Sequence, residues 1–172
     1  MRIPLVGSLL FVLLGCSTYN GVLKGDDYTA KFRLANELHE QGDFDKCIVL
    51  YEQVYQFAPK SEDGEFSYFH MAKSYYLNKD YYMAGYFFGS FVQRYPYSPR
   101  SEESFFLTAM CSVNNSPKWS LDQTETYSAI NAVQAFVDKY PNSPLVDSCN
   151  SIVDALSYKL EFKDYNKVLQ YS

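Results

Sequence analysis

The chain has 172 residues, 47% of them apolar and 18% aromatic, and a formal net charge of −5. That is room for one domain or one short repeat array, with enough apolar surface for a packed core, so wholesale disorder is excluded. A nucleic-acid footprint is excluded too, because it needs a clustered basic face; Lys159, Lys163 and Lys167 are interleaved with Glu161 and Asp164 and read as a solvated helix face.

The chain opens with Arg2, an apolar run from Ile3 to Leu14, then Gly15 and Cys16. A charged start, an apolar stretch of about a dozen residues and a small residue before the cut describe an export signal, too short for the roughly 20 residues that span a bilayer. Leu13-Leu14-Gly15-Cys16 resembles the lipobox of bacterial lipoproteins, in which the cysteine is acylated and becomes the first residue. Several acyl chains on one residue hold a membrane firmly where one holds weakly. Residues 1–15 are therefore expected to be a signal peptide, Cys16 the lipidation site and 16–27 a lipidated linker. Removing Arg2 with the signal leaves 14 basic against 20 acidic side chains, a charge of −6. Residue 17 is serine, not the aspartate that resembles an inner-membrane retention signal, and no acidic run follows Cys16.

From residue 28 onward the chain repeats. Ala35, Ala72 and Ala109 are each 37 residues apart. Gly42-Asp43-Phe44 precedes Cys47, Tyr51, Val54 and Pro59, and Lys79-Asp80-Tyr81 precedes Ala84, Phe88, Phe91 and Pro96 at the same offsets. Ala129, Val133, Phe136 and Pro141 repeat them a third time, displaced by an eight-residue insertion within Asn114 to Asp122. The pattern resembles the tetratricopeptide repeat, a helix–turn–helix unit of about 34 residues, lengthened here by three. Its physics is legible: small residues stand where two helices cross closely, apolar residues recur at helical spacing, and prolines end each second helix.

Boundary residues predict helices over 28–41, 44–57, 62–77, 81–95, 99–113, 123–139 and 144–162, with an eighth starting near 165. Asp43 and Asp80 read as N-caps, Asp122 with Glu125 as a capping box, and Ser98-Pro99 and Ser143-Pro144 as a capping serine before a first-turn proline. The expected fold is all-α, a tetratricopeptide-like right-handed solenoid with units at about 28–61, 62–98, 99–143 and a partial one at 144–172.

In such stacks the first helix of each unit lines a concave face. Phe32, Phe69 and Phe106 stand three residues before the crossing alanines; Asn36, Lys73 and Met110 follow by one, and His39 and Tyr76 by four. These residues form the candidate groove for an extended or helical peptide. The phenylalanines serve equally well as core between helices. Trp119, in the insertion, is either an interface anchor or a cover over neighbouring helix ends. Tyr75-Tyr76 and Tyr81-Tyr82 read as packing around a helix turn.

No site for chemistry is visible. Cys47, Cys111 and Cys149 are an odd set at spacings that match no metal site, and read as small buried thiols. His39 and His70 lack partner ligands, and there is no Gly-rich phosphate loop or nucleophile motif. No metal, cofactor or catalytic residue is expected.

The lipobox, the linker ending in Lys24-Gly25-Asp26, and long repeats carrying Tyr95-Pro96-Tyr97-Ser98-Pro99 and Tyr140-Pro141-Asn142-Ser143-Pro144 together resemble the BamD-type outer-membrane assembly lipoproteins. Asp122-Gln123-Thr124-Glu125-Thr126 and the stretch from Cys149 to Leu156 resemble their Bacteroidota members. The resemblance implies a lipid-anchored scaffold on the outer membrane, facing the periplasm. Its implied partners are a BamA-like barrel protein, other lipoproteins of the assembly machine and the C-terminal signals of unfolded outer-membrane proteins. It also implies five units, of which this chain carries three and part of a fourth. Two other readings remain open: a periplasmic tetratricopeptide scaffold of envelope constriction, against which Cys16 speaks, and a glycan-binding lipoprotein, for which one tryptophan is thin support.

Overall fold

The structure, a computed structural model, describes residues 18–169. The signal peptide and Cys16 lie outside the described residues. Every regular element among the described residues is helical: α1 (18–24), α2 (Tyr28–Gln41), α3 (Phe44–Phe57), α4 (Glu62–Leu77), α5 (Tyr81–Arg94), α6 (Ser101–Asn115), α7 (Thr124–Lys139) and α8 (Val146–Leu169). The fold is all-α and built of tetratricopeptide-like helix pairs. It divides into two compact units: the first runs through Ser74, and the second begins at Tyr75, in the last turn of α4.

The repeat read from spacing reappears as burial. Ala35 and Ala72 are fully buried and Ala109 nearly so; Cys47, Ala84 and Ala129 are fully buried, as are Tyr51, Phe88 and Val133. The 3.6-residue period puts these positions on one face of each helix, and the small ones let the axes approach. Gly64 fits the tight turn between α3 and α4: a Cβ there would sit 2.0 Å from the carbonyl oxygen of Ala58, the C-cap of α3. At the same repeat position in the second unit, Ser101 donates its hydroxyl to the Tyr95 carbonyl.

Two short turns reverse the chain. Gly42 ends α2 at φ 80°, its N–H and that of Asp43 donating to His39 and Leu38. Lys79 occupies the same place before α5 at φ 64°, a conformation glycine adopts freely and lysine does not. Asp80 caps α5, accepting from Met83 N at 3.1 Å. Asp43 departs from expectation: it stands at the N-cap of α3 but spends its carboxylate on Lys46 Nζ, at 2.5 Å. An unforeseen cap is Asp27, which accepts from Ala30 N at 2.9 Å and starts α2.

Several boundaries differ from the sequence reading. The serine–proline pairs form turns of their own: Ser98 Oγ accepts from Arg100 N and Ser143 Oγ from Leu145 N, so α6 and α8 begin at Ser101 and Val146. Asp122 accepts from Thr124 N rather than forming a capping box with Glu125, and Gln123 is the N-cap of α7. Most consequential, no eighth expected helix starts near 165. Lys163-Asp164-Tyr165, the counterpart of Lys79-Asp80-Tyr81, lies inside the uninterrupted 24-residue α8. A turn with φ > 0 at lysine costs about 1–2 kcal/mol. At Lys79 the burial of Ala84, Phe88 and Phe91 on the returning helix offsets it. Lys163 and the residues after it stay helical through Leu169 and are mostly exposed.

Candidate partner-binding surfaces and their surroundings

The first unit holds five of the expected groove residues, and two of them turn inward. Phe69 is buried, and Asn36 accepts a hydrogen bond from the Tyr51 hydroxyl at 2.7 Å. His39 is half-buried, its Nδ1 2.8 Å from Ser74 Oγ. Ser74 in turn donates to the His70 carbonyl and lies 3.2 Å from Cys47 Sγ. The His39 ring meets those of Phe44, Tyr51 and His70 edge-on. Burial, and then the nearby Lys73 ammonium, hold the His39 imidazole below its ordinary pKa of 6.5, with Glu40 opposing. Phe32 packs edge-on to Phe66, and the Lys73 ammonium sits 5.6 Å from the Phe69 ring centroid. Phe32, the rim of His39 and Lys73 stay partly exposed in this unit. Sequence reasoning missed Lys31, buried although charged, which donates to Gln53 Oε1 at 2.7 Å and lies over the Tyr28 ring.

In the second unit Phe106 and Met110, each partly buried, pack against the core cluster of Ala109, Val133, Phe136 and Cys149. Tyr76 is half-buried, edge-on to Tyr81, and accepts from Asn114 Nδ2 at 3.3 Å; burial raises its phenol pKa. The three later cysteines are buried free thiols, all pushed up by burial, Cys111 to about 12, so none is a ready nucleophile. Among the described residues no group of three or more His, Cys, Asp or Glu could hold a metal ion, and no helix is long and apolar enough to cross a membrane.

The insertion is held down by α8, which corrects the solvated reading of Lys159 and Lys163, while Lys167 is exposed as read. Lys159 Nζ donates to Ser116 Oγ and, at 3.0 Å, to the Pro117 carbonyl; Lys163 Nζ donates to the Leu121 carbonyl. Desolvation lowers the Lys159 pKa. From the other side buried Gln123 donates to the Lys118 and Leu121 carbonyls and accepts from Thr126. Trp119 packs edge-on against Phe162, centroids 5.1 Å apart, and stays 39% exposed, so it both covers α8 and offers a free edge.

An exposed tyrosine pair on α5 corrects the reading of Tyr82 as packing around the turn. Tyr82 and Tyr86 are 68% and 64% exposed, beside a shallow depression floored by Gly85, Thr108, Cys111 and Ser112. The signal was in the sequence: Tyr82 and Tyr86 are four apart, on the side of α5 opposite Ala84, Phe88 and Phe91.

A protein-family model described as YfiO, outer membrane lipoprotein, matches residues 26–171. The chain belongs to that family. Among curated proteins, the outer membrane protein assembly factor BamD of Caulobacter vibrioides is 23% identical over 125 residues. That match covers 73% of this chain and 41% of the relative, so the chain spans less than half the length of the protein it matches. Membership of a family of outer membrane lipoproteins places the chain at the outer membrane.

Proposed function

We propose that this protein is a non-enzymatic, periplasm-facing scaffold of the outer-membrane β-barrel assembly machine, anchored by acyl chains on Cys16. The observation that carries the reading is the family match over nearly the whole helical array, 26–171, joined to the Leu13-Leu14-Gly15-Cys16 ending upstream of it. The proposed partners are a BamA-like barrel protein, companion lipoproteins of the machine, and C-terminal segments of unfolded outer-membrane proteins. Helix pairs of this repeat type expose rows of side chains, which suits recognition of extended partners. Phe32, Lys73, Tyr76 and the free edge of Trp119 are the contacts proposed from the expected set, and Tyr82 and Tyr86 join them on exposure.

The test is a crosslinked pull-down from native outer membranes with the full-length lipidated chain as bait. A large β-barrel protein with periplasmic repeats among the captured partners is the expected result. Peptidoglycan-synthesis enzymes without any barrel protein would overturn the reading in favour of an envelope-constriction scaffold. Tyr82→Ala with Tyr86→Ala is expected to lower barrel recovery several-fold without altering the helical circular-dichroism spectrum, since neither residue is buried.

A further inference from the structure

The interval expected as a linker contains α1, residues 18–24, and that helix is fastened to the first unit. Gly25 N closes it, donating to the Gly21 and Val22 carbonyls. Two residues later Asp27 caps α2. At the other end of α1, the Tyr19 ring centroid lies 5.7 Å from Lys46 Nζ, in the first turn of α3. Burial raises the Tyr19 phenol pKa, and Lys46, Asp43 and Cys47 are the charged or ionisable neighbours that act on it. The helix therefore runs back along the unit, from the α2–α3 turn toward the start of α2.

The two ends of the unit are chemically distinct. The near end carries Tyr19, the Asp43–Lys46 pair, and exposed Gln41 and Asp45. At the far end the Tyr28 ring stacks on Phe57, centroids 3.8 Å apart, beside the α3–α4 turn. A 14-residue helix separates them, about 20 Å at 1.5 Å per residue. Cys16 is two residues from Thr18, so whatever conformation joins them, their Cα atoms are at most about 7.6 Å apart.

We infer that the α2–α3 turn is a membrane-facing edge: α1 seats the near end of the first unit against the phospholipid headgroups and holds the far end away from them. The inference rests on acylation of Cys16, proposed above. The edge is polar, so it lies on the headgroups without entering the hydrocarbon. Tyr19, apolar in its ring and polar at its tip, suits that depth. Asp43 and Asp45 outnumber Lys46, so the seating draws on the acyl chains and the short tether rather than on anionic lipid. A scaffold tethered this way holds its first unit at a fixed height, instead of letting it swing on a flexible leash.

The experiment uses the full-length lipidated protein in phosphatidylethanolamine–phosphatidylglycerol vesicles carrying a headgroup nitroxide lipid. Trp119→Phe removes the native fluorophore, and a single tryptophan is introduced by Gln41→Trp at the near end or Lys60→Trp at the far end, both at exposed positions. Emission from the Gln41→Trp protein is expected to fall about twofold while the Lys60→Trp protein keeps its emission, because helix length puts the second probe ~20 Å further out. Inserting twelve Gly/Ser residues between Ser17 and Thr18, an r.m.s. reach of about 20 Å, is expected to remove that difference. Equal quenching of both probes in acylated, vesicle-bound protein, or a difference indifferent to the inserted linker, overturns the inference and leaves the anchor standing. A Cys16 peptide without acyl mass, in protein that stays off the vesicles, overturns the anchor and the inference together.

Discussion

The two units bury different kinds of interior. Around α2, α3 and α4 the core is laced with polar groups: His39 reaches Ser74, Ser74 reaches Cys47 and the His70 carbonyl, and Tyr51 reaches Asn36. Around α6, α7 and α8 the central cluster is apolar, with Ala109, Val133, Phe136 and Cys149 at the centre and Phe105, Phe106, Ile152 and Val153 around it, while the buried polar side chains Ser101, Gln123 and Thr126 keep their hydrogen bonds at the helix starts. The same repeat period thus accepts either interior. It fixes where small and large residues stand, and leaves open whether a hydroxyl or a methyl fills the site, provided buried polar atoms find partners. The difference should appear as two kinds of stability: the first unit sensitive to pH and to loss of single hydrogen bonds, the second sensitive mainly to lost volume.

The largest effect separating them is volume. Phe136→Ala removes a fully buried ring from the apolar core and is expected to destabilise the second unit by about 3–5 kcal/mol. Urea unfolding followed by Trp119 fluorescence reads that unit; a loss under about 1 kcal/mol would show that its core is not organised around Phe136. In the first unit, Gly64→Ala drives a Cβ into the Ala58 carbonyl, a backbone atom that cannot step aside, and is expected to cost about 1–3 kcal/mol. Circular dichroism melts of that variant check it.

Next in size comes the hydrogen-bond arm of the comparison. Tyr51→Phe leaves Asn36 Oδ1 without its donor and should cost ~1 kcal/mol, measured by urea unfolding. The pH arm follows from His39. Its folded pKa lies below 6.5, so as pH falls the unfolded chain takes up the proton first. Stability from this group is complete above about pH 6.5 and declines as pH drops toward the lower folded value. The decline should appear in hydrogen exchange of α2–α4 and not of α6–α7, and His39→Gln should flatten it.

The smallest expected effect tests the turns. Lys79→Gly relieves the positive φ of a lysine and is expected to stabilise by at most about 1 kcal/mol, whereas Gly42→Ala imposes that strain and should destabilise by a similar amount. Thermal melts giving both substitutions the same sign would contradict the shared turn geometry.

Much of the array was legible from spacing. The bounds read for α2, α3 and α4 are those observed, and every small position of the repeat is buried. The groove residues were legible as positions and not as orientations. Phe69 and Phe106 stand where the period puts them, but burial and the core cluster claim them. Asn36, polar and apparently suited to an open face, instead accepts from Tyr51 within the unit. Polarity alone did not mark exposure, because a partner fifteen residues away satisfies the amide.

The sequence by itself determined the 37-residue period, the close-crossing residues, the all-helical fold and the lipobox-like start, since each is written in local spacing and side-chain size. The tertiary structure alone decided the rest. Lys79-Asp80-Tyr81 turns and the identical Lys163-Asp164-Tyr165 stays inside α8; at Lys79 the strain of a left-handed lysine is offset by Ala84, Phe88 and Phe91, buried on the returning helix. Lys159 and Lys163 leave the solvated role their neighbours suggest, because the carbonyls that need them lie 42 residues away in sequence and one hydrogen bond away in space.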